Sequence, residues 1–408
     1  LLYRWGVSYT SRVIASTLLI AGYLLPNLCT RIRANCAYPM CIKTFTNRRC
    51  TTGVVHLRST LSATRSKRTS SLYRMCKLGF KSMGDLFPLF LRNYFPVWII
   101  NPNAFDTGVF MDSRMLDIRI GTLVHSENAA SYIKQIIPYG FESFSITFGR
   151  SAEGIDLPGM AAAIKEALGD SGAVISSLSI YGNPLENLPA DQSALRSWEL
   201  LIDNAVCFGT DIVSGFAGRI RGLPIDKSID RFREVFTPLA KKAQDKGIKL
   251  AFENCDMGGN WERGDWNIAL FPEALELMFD AVPFDNIGLE WEPCHQMVKL
   301  IDPIAQLRNW VGKIFHIHGK DATVKWDIIH QYGIGGPRRF AFHRTPGFGD
   351  SNWTDIISEL RTGGFRGSID IEGWHDPVYR GELEMTGQVN ALEYLKYCRG
   401  GKFVPNPE

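Results

Sequence analysis

Four apolar runs in the C-terminal half of the chain each end in a carboxylate or an imidazole: Leu250-Ala251-Phe252-Glu253, Leu289-Glu290-Trp291-Glu292, Phe315-His316-Ile317-His318 and Ile369-Asp370-Ile371-Glu372. If these runs are neighbouring parallel strands, Glu253, Glu292, His318 and Glu372 converge on one pole. They then offer three hard oxygen donors and one imidazole to a single divalent cation, with Mn²⁺ the first choice and Mg²⁺, Co²⁺ or Zn²⁺ as substitutes. Three carboxylates so close would not all stay ionised without a compensating positive charge. One Glu at a strand end more often caps a helix or meets a loop cation, so it is the set of four that points to a metal. His316 is expected across its strand from His318, as a hydrogen-bonded structural histidine, and Glu290 is given no role.

The elements that would position these residues form a regular series after Met115. Short β-branched runs at 117–124, 141–148, 174–181, 211–217, 248–253, 286–292, 313–318 and 367–372 alternate with segments of helical spacing at 128–137, 157–168, 194–206, 229–246, 272–279, 303–311, 353–361 and 384–397. Eight strand-helix units in this order are the pattern of a parallel sheet closed into a (β/α)8 TIM barrel, whose active sites sit at the C-terminal strand ends. A doubly wound sheet would call for a glycine-rich phosphate loop after the first strand, and Leu123-Val124-His125-Ser126-Glu127 is not one. Residues 319–352 show little periodicity and many Gly, Pro and Arg, so they read as a lid or binding loop.

Composition separates this α/β domain from what precedes it. The whole chain of 408 residues is 45% hydrophobic and 21% charged with a net charge of +3, and it contains no uninterrupted apolar stretch long enough to span a bilayer. Residues 1–110, however, hold 15 Lys and Arg against only Asp85 and Asp106, no Glu, and five of the nine cysteines. The remaining 298 residues hold 30 basic and 40 acidic groups. We therefore expect a basic leader without a clear fold over residues 1–110 and the barrel over 111–408. The apolar run at 13–25 behind Arg4 and Arg12 is signal-like, but Asn27-Leu28-Cys29-Thr30 is a poor cleavage site and no sustained amphipathic period marks a transit peptide. Cys29, Cys36, Cys41 and Cys50 lack the CxxC spacing of a zinc site. A targeting role for the leader is left open, and the barrel is expected in the cytoplasm.

The strand-end segments, with Ser179-Ile180-Tyr181-Gly182-Asn183, Glu253-Asn254-Cys255, Glu292-Pro293-Cys294-His295, His316-Ile317-His318-Gly319-Lys320-Asp321 and Pro346-Gly347-Phe348-Gly349-Asp350, resemble the xylose isomerase-like TIM barrels, or sugar phosphate isomerases/epimerases. That family includes ketose 3-epimerases, hydroxypyruvate isomerases and inosose dehydratases. The resemblance runs from Met115 to the C-terminus and implies metal ligation by Glu253, Glu292, His318 and Glu372, a substrate-oxygen contact from His295, and acid-base roles for Glu253 and Glu372 on opposite faces of the substrate. Two positions depart from the family pattern. Glu292 stands where Asp is more common, and no arginine follows the histidine ligand, because residues 322–325 offer only Lys325.

The expected chemistry is isomerisation or epimerisation of a sugar or sugar phosphate, by proton removal beside a carbonyl and metal stabilisation of the enediolate. The alternative is a dehydratase or lyase on a keto-sugar or keto-inositol. An endonuclease IV-like phosphodiesterase is disfavoured because the second and third strands end in Thr147-Phe148-Gly149-Arg150 and Tyr181-Gly182-Asn183, without histidine. A non-catalytic sugar-binding barrel is a further alternative. His295, Lys320 and Arg344 are candidate substrate contacts, with Trp261, Trp266 and Trp374 available to stack on a sugar face. Partners are expected to be a small carbohydrate, with no nucleic acid and no membrane for the barrel; homo-oligomerisation is left open.

Overall fold

Runs such as Ser143-Phe144-Ser145-Ile146-Thr147 are buried at every position, as strands covered on both faces must be. The computed structural model describes residues 117–401, 404, 406 and 407, so the expected leader lies outside the described residues. Eight parallel strands close into a barrel: β1 (Arg119–His125), β2 (Ser143–Thr147), β3 (Val174–Ile180), β4 (Ile212–Gly215), β5 (Lys249–Glu253), β6 (Ile287–Trp291), β7 (Ile314–Gly319) and β10 (Ser368–Ile371), which returns to pair with β1. Six fall within the expected segments, and β1 and β7 run one residue beyond theirs, to His125 and Gly319. The fold is the (β/α)8 barrel.

The outer helices are α1 (Ala129–Ile136), α2 (Leu157–Leu168), α3 (Pro189–Phe208), α4 (Ile229–Asp245), α5 (Pro272–Ala281), α6 (Pro293–Val298), α7 (Pro303–Trp310), α8 (Trp326–Tyr332), α9 (Trp353–Thr362) and α10 (Glu384–Cys398). In α4 the residues Ile229, Phe232, Val235, Phe236, Leu239, Ala240 and Ala243 are buried at three- and four-residue intervals, the stripe that seats a helix on a sheet. Trp198 of α3 and Phe236 of α4 meet edge to face, and Phe236 meets Phe252 of β5 the same way at 4.8 Å. That aromatic packing fixes the strand that ends in Glu253.

The connection over residues 319–352 differs from the irregular loop expected. It contains β8 (Asp321–Val324), α8 and β9 (Ala341–Arg344), with β8 and β9 paired antiparallel as a separate two-stranded sheet. These two strands pair with each other outside the barrel and so lie outside the alternating strand-helix series that revealed the others. The short helix α6 directly after β6 is likewise absent from the expected series. Among the described residues no helix is long and apolar enough to cross a membrane.

Candidate functional site

Strand register brings the four strand-end residues together. Glu253 is level with Glu290 between β5 and β6, Glu290 with His316 between β6 and β7, and His318 with Asp370 between β7 and β10. A register shift at Leu289 and Glu290 bends β6 just before Glu292, as bulges beside functional sites commonly do. The ligating atoms of Glu253, Glu292, His318 and Glu372 all lie within 4.8 Å of one another, and all four residues are buried. His318 Nδ1 faces the three carboxylates: 3.2 Å from Glu253 Oε1, 3.4 Å from Glu292 Oε2 and 3.4 Å from Glu372 Oε2.

The donor set fits a divalent cation. Glu292 Oε2 and Glu372 Oε2 are buried without a hydrogen-bond partner, and both are turned toward His318. Two buried carboxylate oxygens that make no hydrogen bond are costly unless a cation meets them. The field of the cluster shows in its ionisation. Burial pushes the Glu253 carboxyl up to about 8, with His318 opposing the rise and Glu292 and Glu372 adding to it. Burial disfavours charged His318, yet Glu290 and the surrounding groups outweigh it and hold the imidazole well above its ordinary value. Burial is likewise overcome at Glu372, which Lys320 holds well below the carboxylate range.

A second tier of polar residues lies beneath these donors. The sequence reading places His316 across the strand from His318; the structure puts both in the barrel interior, because alternation with a period of two returns residues i and i+2 to the same face. His316 Nδ1 is 2.8 Å from Glu290 Oε1 and its Nε2 is 2.7 Å from Asp370 Oδ2. Ser143 and Ser176 donate their hydroxyls to Asp370. Glu290 Oε1 also lies 3.2 Å from His318 Nε2, and Tyr181 Oη lies 3.3 Å from the same nitrogen. The back of the imidazole is thus held while Nδ1 faces the carboxylates. Sequence reasoning named His316 as a hydrogen-bonded structural histidine but gave Glu290 and Asp370 no role, although their signal was present: in three of the four strands a charged or imidazole residue sits two positions before the strand-end donor (Glu290, His316, Asp370). Gly121 belongs to the same layer, since a Cβ there would collide with the Ser143 carbonyl and the Asp370 carboxylate.

Glu253, His318 and Glu372 line a cavity of about 1180 Å³. Of the expected substrate contacts, His295 and Lys320 line it, as do Trp266 and Trp374. Lys320 Nζ bridges Glu372 Oε1 at 2.8 Å and Glu292 Oε1 at 3.2 Å, and His295 Nε2 lies 3.3 Å from Glu292 Oε2. Trp374 stacks on His125 at 4.8 Å. Arg344 and Trp261 do not line the cavity. Arg344 Nε donates to Asp376 Oδ2 at 3.0 Å, which turns it into an anchor for β9. Trp261 packs on Phe271 and offers its carbonyl to the buried Arg219. Both sit in connections where residue type alone does not tell which way a side chain points.

The family model of the xylose isomerase-like TIM barrel matches residues 133–398, and the chain belongs to that family. Among solved structures, a xylose isomerase domain protein from Planctomyces limnophilus is 17% identical with a TM-score of 0.53, covering 69% of this chain and 97% of its own. A 3-keto-D-glucoside 4-epimerase from E. coli is 15% identical with a TM-score of 0.52, covering 69% of this chain and 100% of its own. A D-psicose 3-epimerase solved with D-fructose is 16% identical with a TM-score of 0.50, covering 70% and 100%. At these identities the likeness establishes the fold. No curated protein matches the chain.

Proposed function

We propose that the barrel is an enzyme that isomerises or epimerises a sugar by moving a proton next to its carbonyl, with a divalent ion held by Glu253, Glu292, His318 and Glu372. The observation that carries this reading is the convergence of four buried donors, of which Glu253, His318 and Glu372 line a cavity large enough for a sugar. A bound ion, Mn²⁺ by preference, supplies Lewis acidity to the carbonyl and balances the charge that develops when the proton leaves. Glu253 and Glu372 come from well-separated strands and flank His318, so one removes the proton and the other returns it. Lys320, fixed between Glu292 and Glu372, contributes positive charge that does not have to reorganise during the reaction. His295 contacts a substrate oxygen from α6, and Trp266 and Trp374 supply apolar faces. Epimerases among the structural neighbours support the chemistry by analogy.

The test is a panel of ketoses, keto-inositols and 3-keto-glycosides incubated with the full chain and Mn²⁺ in D₂O and followed by NMR. Deuterium should enter the carbon beside the carbonyl of the true substrate, and the product separates epimerisation from elimination. Glu253→Gln or Glu372→Gln should suppress that exchange by about 10²- to 10⁴-fold, with metal content measured in each variant. Cleavage of an abasic-site phosphodiester, with no exchange into any carbonyl compound, would replace this reading with a nuclease.

A further inference from the structure

The chemistry proposed above occupies the cavity floor and gives the rim no task. Among the described residues only two that are not glycine have a positive φ, Met257 at 50° and Leu300 at 60°, and both line the cavity. The left-handed region crowds a side chain against its own backbone, so large apolar residues are uncommon there and glycine or asparagine is usual. Such strain persists where the surroundings over-determine it, and it gathers at ligand clamps. Packing within the fold does not explain these two, since Met257 is 47% and Leu300 37% exposed. Their turns are held by polar contacts instead. Asp256, just before Met257, pairs with Lys299, just before Leu300, and Lys299 Nζ donates to the Gly259 carbonyl at 2.7 Å. The two strained turns are thus fastened to each other.

Ile334, in the loop after α8, lines the same cavity and is 62% exposed, and the partly buried Val298 and Phe340 line it as well. Scattered apolar side chains are normal on a surface, but several around one opening are the mark of a ligand-binding groove. The rim also carries Arg338 and Arg339, whose guanidinium groups rest on the rings of Tyr332 at 4.1 Å and Phe342 at 5.1 Å. Their charge is met by aromatic faces. At about 1180 Å³ the cavity exceeds the roughly 300–1,000 Å³ usual for drug-sized ligands, which leaves room beyond a single sugar ring.

We propose that the substrate is a keto-sugar whose anomeric oxygen carries an apolar group, and that Met257, Leu300 and Ile334 cover this group at the rim while the sugar carbonyl reaches the floor. The inference rests on the sugar-isomerase reading, but binding and chemistry are measured separately. Calorimetry on the full chain loaded with Mn²⁺ compares the methyl, hexyl and phenyl 3-keto-D-glucosides, for the wild type, for Met257→Gly combined with Leu300→Gly, and for Ile334→Ser. The hexyl or the phenyl glucoside should bind at least about tenfold tighter than the methyl one, as the added apolar area allows. The tighter of the two distinguishes an alkyl from an aromatic group. Glycine adopts both φ values without strain, so the double variant should melt within a few degrees of the wild type. The affinity ratio should fall toward one in that variant and fall in part in Ile334→Ser, which changes only an exposed side chain. Equal affinity for the three glucosides, no binding of any of them, or a ratio untouched by both variants overturns the proposal. So does an equal weakening of all three glucosides, the result expected of a rim that only shields the site. Deuterium exchange is run in parallel. Preference for the apolar glucosides without exchange in any of them defeats the isomerase reading alone, and exchange without that preference defeats the rim proposal alone.

Discussion

Asn254 pairs with the Glu292 backbone in both directions, its Nδ2 donating to the Glu292 carbonyl at 2.8 Å and its Oδ1 accepting the Glu292 N–H at 2.6 Å. One side-chain amide thus extends the β5–β6 pairing past the end of both strands and aims Glu292. Glu290 does the corresponding work for His318, since it lies against the nitrogen that does not face the carboxylates. Outer partners of metal-binding histidines set ring orientation, and their loss typically costs 10- to 100-fold in metal affinity. Purified protein should carry about one divalent ion per chain. Glu290→Gln should weaken that ion's binding by about 10- to 100-fold with the melting temperature monitored in parallel, whereas His318→Ala with Glu372→Ala should abolish it. Elemental analysis and competition with a chelator read both, and unchanged metal content in the double variant removes the assignment. The four converging donors were legible in the sequence because each ends a short strand-like run after which an active-site loop is expected. The tier beneath them follows from strand alternation and was misplaced by counting His316 to the wrong face. Arg344 carried no such signal, because its place depends on how residues 319–352 fold, and it meets Asp376 instead of the cavity.

At the scale of elements, that fold-back hangs on one carboxylate. Asp376, buried in the connection after β10, accepts from Thr345 N and Arg344 Nε on one oxygen and from Val378 N and Tyr379 N on the other. It therefore ties the end of β9 to the barrel. The eight barrel strands were readable because they recur as short β-branched runs between helical segments, a series that β8 and β9, paired with each other outside the barrel, do not join. Burial disfavours ionised Asp376, but its hydrogen-bond donors outweigh that and hold the carboxyl below the ordinary range. A folded-state value lower than the unfolded one adds stability that is fully present above about pH 4 and is lost as pH falls through the folded value. Asp376→Asn should thus cost about 2 kcal/mol near neutrality, the scale of replacing a charged acceptor by a neutral one facing the same donors. The difference in melting temperature between wild type and variant should shrink between pH 6 and pH 3. A difference that stays constant over that range would mean that the charge at Asp376 does not hold the hairpin.

For the whole molecule, the decisive feature is closure. β10 returns to β1 in register, with Arg119 level with Ser368 and Thr122 level with Ile371, so every strand of the barrel has two partners and no edge awaits another segment. The last helix reinforces that seam: the Arg399 guanidinium, just past α10, donates to the Ile118 carbonyl and to Glu142, joining the start of β1 to the approach to β2. Among the described residues, the barrel strands and this seam run from Ile118 to Arg399. The domain boundary is expected near residue 110, because the segment before it holds no Glu and only two Asp. A chain beginning at Met111 should accordingly stay soluble and monodisperse, unfold in one cooperative transition, and bind Mn²⁺ with the stoichiometry of the full chain. Size-exclusion chromatography with light scattering, a thermal melt and elemental analysis on both proteins make the comparison. Aggregation of the shorter chain alone, or a melting temperature lowered by more than a few degrees, would mean that residues before 111 cover surface that the barrel needs covered, and the domain boundary would have to move toward the N-terminus.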